Sequence, residues 1–108
     1  MKAKPTLSEM IGHGIIRVPA TLHAMYKGRP IKATLLRNGT IELDGATFNS
    51  LSVAAGTAIV KAGASASKGR RYRHANGWTF WKVEIRGRRI SLSRLRDFNY
   101  DRSGDANM

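Results

Sequence analysis

Between Lys68 and His74 the chain reads KGRRYRH. Lys68, Arg70, Arg71, Arg73 and His74 surround a single tyrosine, Tyr72. A guanidinium is a planar fork of N–H donors that can grip a phosphate with two parallel hydrogen bonds. A tyrosine among such forks can stack on a base or donate its hydroxyl. A second basic run follows, with Arg86, Arg88, Arg89, Arg94 and Arg96. Asn76 and Trp78 stand between the runs, at the start of NGWTFWKV, which holds three of the eight aromatic residues of the chain. The chemistry implied is capture of a phosphate backbone, with stacking beside it.

Bulk charge points the same way. Nineteen Lys and Arg against seven Asp and Glu give a formal net charge of +12 in 108 residues. A small domain gains nothing from that self-repulsion, and a polyanionic partner relieves it. Bond-making chemistry finds little support, so no enzyme is expected. His13, His23 and His74 lack metal-ligand spacing, and no phosphate-cradling glycine motif or nucleophile elbow occurs. Cysteine is absent, which excludes disulfides and thiolate metal sites. No metal and no cofactor are expected. No apolar run reaches the roughly 20 residues that span a bilayer. The first residues lack the apolar stretch of a secretory signal, so a cytoplasmic protein without membrane attachment is expected.

These side chains need elements to hold them. Thr6-x-x-Glu9 has the form of a capping box, and Leu7, Met10 and Ile11 supply a short apolar stripe. From Thr21 the apolar period falls to two. Leu22, Ala24 and Tyr26 form one face, and Ile31, Ala33 and Leu35 form the next. Asn38-Gly39 predicts a type I′ hairpin, and Asp44-Gly45 predicts another turn. The result is an antiparallel meander from Thr21 to Phe48. Leu51, Ala54, Ala55, Ala58, Ile59 and Ala62 then lie on one face of a helix. Asn49 or Ser50 can cap it. Its free N–H groups, with Asn49, Ser50 and Ser52 around them, are a candidate phosphate site. Residues 64–75 form a loop, closed by a turn at Asn76-Gly77. Trp78 to Ile85 reads as the best strand, with Trp81, Val83 and Ile85 facing the core and Trp78 facing the loop. Ile90 to Leu92 can pair back on it, and SRLRDF can add a helical turn with Leu95 and Phe98 inward. The fold class predicted is α+β: a small antiparallel sheet, meander plus C-terminal hairpin, packed on one principal helix with a short N-terminal helix. Residues 1–100 form the expected single domain, and 101–108 a polar tail.

GATFNSLSVAA at 45–55, followed after a gap by NGWTFW at 76–81, resembles the restriction enzyme adenine methylase-associated (RAMA) domain. The short helix before GHGII and the closing SLSRLRDF are similar to that family as well. The resemblance implies a DNA-binding module found beside methylases and nucleases, in some cases reading N6-methyladenine. The expected partner is double-stranded DNA, in the company of a methylase or nuclease. Its expected contacts are Lys68, Arg70, Arg71, Tyr72, Arg73, His74, Asn76, Trp78, Arg86, Arg88 and Arg89. An RNA or single-strand binder, or a basic module that docks on an acidic protein, remains open on the residues alone.

Overall fold

Tight turns with glycine fix the sheet. The computed structural model describes residues 4–65, 69 and 72–98. Strand β1 (Ala20–Tyr26) turns through Lys27-Gly28 into β2 (Arg29–Leu35), with Tyr26 opposite Arg29. Strands β3 (Ile41–Leu43) and β4 (Ala46–Phe48) are joined in the same way by Asp44-Gly45, and β5 (Lys82–Ile85) and β6 (Arg88–Ser91) by Arg86-Gly87. Both residues of each turn have positive φ, as a type I′ turn requires. The Asn38-Gly39 expectation is corrected, since only Gly39 there is positive. Leu35 pairs with Ile41, which leaves a loop of five residues, 36–40. The Asn38 side chain serves that loop by accepting from the Thr40 N–H at 3.0 Å and the Thr40 hydroxyl at 2.6 Å.

The six strands form one antiparallel sheet in the order β4-β3-β2-β1-β5-β6. The meander runs outward from β1, and the C-terminal hairpin joins the other side of β1. Helix α1 (Leu7–Gly12) starts on the Thr6–Glu9 capping box and buries Met10. Helix α2 (Leu51–Lys61) is the principal helix, with Leu51, Ala54, Ala55, Ala58 and Ile59 buried. Alanine on that face lets the helix lie close to the sheet. A last helix, α4, covers residues 92–98. The architecture is thus the expected α+β one. No polar or charged side chain is buried among the described residues. No helix among them is long and apolar enough to cross a membrane.

The NGWTFW segment departs from its expected form. Asn76-Gly77 does not open a strand. Asn76 caps a short helical turn, α3 (Gly77–Phe80), and its side chain accepts from the Trp78 N–H at 3.0 Å. The strand begins only at Lys82. Trp81, between the two, is fully buried as expected. Its indole N–H donates to the Leu51 carbonyl at 3.1 Å, and its own carbonyl accepts from the Leu92 N–H at 3.0 Å. The helical turn arises because Gly77 must press flat on the start of α2. A Cβ at Gly77 would collide with the Leu51 carbonyl and the Ser52 nitrogen. Gly56 is a second such point, where a Cβ would strike the backbone of Arg73. Arg73 therefore lies directly against the flank of α2. Phe98 is also corrected. It is 56% exposed, whereas Leu95 is buried.

Gly77→Ala and Gly56→Ala are expected to cost about 1–3 kcal/mol or more, as overpacking does. Gly12→Ala, with open space around it and an ordinary φ, is the neutral control. Trp81→Ala is expected to cost about 3–5 kcal/mol. Chemical denaturation measures all four. Equal midpoints for Gly77→Ala and Gly12→Ala would refute the close approach.

Candidate nucleic-acid interface

Alternate residues of a strand point to opposite faces of a sheet. The apolar face here receives the helices. Register then decides which side chains share the other, open face. His23 on β1 lies opposite Lys32 on β2 and Lys82 on β5. Lys82 lies opposite Ser91, and Glu84 opposite Arg89 on β6. Four strands thus bring Lys32, His23, Lys82 and Arg89 to one surface, with Glu84 as the neighbouring acid. The pKa of His23 is lowered from the ordinary value of 6.5, first by partial burial, then by Arg89 and Lys32, against an opposing effect of Glu84.

His23 and Lys82 form the single register pair between β1 and β5. Beyond it, residues of both strands and of segment 14–17 line a groove of about 840 Å³. Arg17, Thr21, His23, Lys32, Glu84 and Arg86 give it polar walls, and Ile15 and Ile16 give it an apolar one. Ile15, Ile85 and Arg86 also belong to an adjoining cup of about 440 Å³. Ile90, Leu95 and Phe98 complete the cup, with Arg94 at its rim.

The residues singled out in the sequence divide between two places. Lys68, Arg70 and Arg71 lie outside the described residues. Arg73 runs beside α2, where its N–H donates to the Gly56 carbonyl at 3.4 Å and its guanidinium to the Ser65 carbonyl at 3.5 Å. Tyr72 and His74 meet edge to face at 6.5 Å. Trp78 is half-buried, and the Arg96 guanidinium lies over its ring at 3.9 Å. Ser50 caps α2 by accepting from the Ser52 and Val53 N–H groups, both at 3.2 Å. The Ser52 hydroxyl accepts from the Gly77 N–H at 3.0 Å, and Asn49 is exposed. Arg86, Arg88 and Arg89 are exposed on the β5–β6 hairpin. By register Arg89 belongs to the open face, whereas Arg88 pairs with Ile85 on the helix side.

The structure therefore joins Arg86 and Arg89 to Arg17, His23, Lys32 and Lys82, which sequence reading had not singled out. The β1–β2 part was legible, because a two-residue turn at Lys27-Gly28 places His23 opposite Lys32. The rest was not, because it depends on β5 pairing with β1.

A family model, Restriction Enzyme Adenine Methylase Associated, matches residues 2–102. The chain belongs to the RAMA family. The match runs from before α1 to beyond α4, and RAMA domains are associated with restriction–modification systems. RAMA is an associated domain rather than a catalytic family. Comparison with curated proteins finds no match. The two sequence segments that carried the resemblance touch each other in this RAMA domain, through Ser52 with Gly77 and Leu51 with Trp81.

Two outcomes are expected. The His23 ring should titrate below 6.5 by NMR, and Arg89→Ala should move it upward. The folded state then binds fewer protons than the unfolded chain just below the ordinary histidine range. That part of the stability is present above this range, is lost as pH falls through the folded pKa, and is absent in His23→Gln. A midpoint at or above 6.5 would contradict this. A double-mutant cycle on Trp78 and Arg96, read by denaturation, should give a coupling of about 0.5–1 kcal/mol. Additive effects would show that the stacking contributes nothing.

Proposed function

We propose that this RAMA domain is a duplex DNA-binding module of a restriction–modification or related DNA-handling system, and that it prefers DNA carrying N6-methyladenine. The observation that carries the reading is unneutralised positive charge. Two ion pairs occur among the described residues, Lys4 with Asp97 at 2.7 Å and Lys61 with Asp44 at 3.4 Å. Arg17, Lys32, Lys82, Arg86, Arg88 and Arg89 have no acidic partner of that kind there. Phosphates would supply it.

In this reading Arg86, Arg88 and Arg89 contact the backbone, and so do Lys68, Arg70, Arg71, Arg73 and His74. Tyr72, Asn76 and Trp78 contribute stacking or polar contacts beside them. The start of α2, with Asn49, Ser50 and Ser52, is the weaker anion site, since its serine hydroxyls already accept from backbone N–H groups. The apolar cup beside the groove would suit a methyl group on adenine N6, which lies in the major groove of the duplex. The domain would work in the cytoplasm, on nucleoid DNA in a bacterium, next to a methylase or nuclease.

Fluorescence anisotropy on matched duplexes tests this. Binding should weaken with salt on a log–log slope steeper than about −3, because each neutralised phosphate contributes about −0.9. The methylated duplex should bind more tightly than its unmodified twin. A flat salt response would refute DNA binding. Equal affinity for the two duplexes would refute methyl reading alone. Preference for RNA or single strands would redirect the assignment to those partners.

A further inference from the structure

The DNA-binding reading leaves open which face of the domain meets the phosphates. We infer that the phosphate-binding surface is the open face of the sheet, where a groove lined by Arg17, His23, Lys32 and Arg86 is flanked by Lys82 and Arg89. The inference rests on the DNA-binding reading and gives it an address.

Register makes the first argument. Lys32, His23, Lys82 and Ser91 stand side by side on β2, β1, β5 and β6. Neighbouring strands are about 4.8 Å apart, so Lys32 and Lys82 are about 10 Å apart at the backbone. Arg89 and Arg86 extend the row along the hairpin, and Arg17 closes the groove from segment 14–17.

Electrostatics makes the second. The groups around His23 are Lys32 on β2, Lys82 and Glu84 on β5, Arg89 on β6 and Arg17 on segment 14–17. Glu84 is the one acid in that set. Burial and the cations lower the pKa of His23, and the single carboxylate of Glu84 leaves most of the surrounding positive charge unmatched. Phosphates arriving there would reverse the local field, and His23 would take up a proton.

The helix side is occupied by the protein itself. Arg73 is tied to Gly56 and Ser65, the Trp78 ring is covered by Arg96, and Asn76, Ser50 and Ser52 accept from backbone N–H groups. Among the described residues, no hydrogen bond or ion pair ties down the side chains of Arg17, Lys32, Lys82, Arg86 or Arg89. A grooved, basic surface beside an apolar cup fits a polynucleotide better than it fits a small anion.

The test uses the full chain and a short fluorescein-labelled DNA duplex. Arg17→Ala, Lys32→Ala and Arg89→Ala each remove an exposed side chain, and thermal melts confirm that they fold. Each should make the salt slope shallower by about 1. Each should also weaken binding roughly eightfold at 0.1 M salt, the factor carried by one released counterion. Lys61→Ala, on the helix side, and Arg37→Ala should leave the slope unchanged. Wild-type affinity should rise as pH is lowered through the histidine range, and His23→Gln should make that rise clearly smaller. The inference is overturned if the open-face variants keep the wild-type slope, whatever the helix-side variants do. A wild-type affinity indifferent to pH, or a rise that His23→Gln retains in full, overturns the place of His23 in the groove. A wild-type domain that binds no duplex overturns the DNA-binding reading, and this inference with it.

Discussion

The contact on which the rest depends is the docking of NGWTFW on the first turn of α2. Gly77 lies so close to the Leu51–Ser52 peptide that no side chain fits between them. Four residues on, the Trp81 indole reaches the Leu51 carbonyl from the core. The Trp81 carbonyl in turn holds Leu92, the first residue of α4. One tryptophan, through its indole and its backbone carbonyl, thus ties the principal helix, the start of β5 and the last helix together. A buried tryptophan brings a large apolar area, and its N–H must find an acceptor. The helix start provides that acceptor. The two sequence segments that carry the resemblance are therefore two sides of one contact.

This contact also decides what is left for function. It places α2, α3 and α4 on one side of the sheet and seals that side. Just before Asn76, Arg73 lies against α2 at Gly56, another position with no room for a side chain. Among the described residues, no helix packs on the other side of the sheet. Its strands carry Lys32, His23 and Lys82 side by side, with Arg89 further along β6 opposite Glu84. The aromatic motif builds the fold, and the basic surface stands on the side that it leaves open.

The sequence was a good guide where one local rule acted alone. Period-two alternation found the faces of β1 and β2. The alanine stripe found α2, and apolar neighbours found Trp81 as core. It misled where two rules competed. Asn76-Gly77 has the form of a hairpin turn, but Asn is also a good helix cap, and the pressure of Gly77 on α2 favoured the cap. Asn38-Gly39 has the same form, but the pairing of Leu35 with Ile41 set a five-residue loop. Turns at Lys27-Gly28 and Arg86-Gly87 took the type I′ shape instead, with a long cationic residue at positive φ. The open basic face was the least legible feature. Its members come from four strands, and β5 joins β1 across more than half of the chain. No local pattern records that pairing.

The most direct measurement is an amide NMR titration with matched methylated and unmethylated duplexes. The expected shifts fall on Arg17, on 21–24 of β1, on 31–34 of β2 and on 82–89 of the C-terminal hairpin. Residues 53–61 of α2 should stay in place. Larger shifts with the methylated duplex should concentrate at Ile15, Ile85 and Ile90. Shifts confined to α2 and residues 72–78, with the open face unmoved, would contradict this reading of the domain.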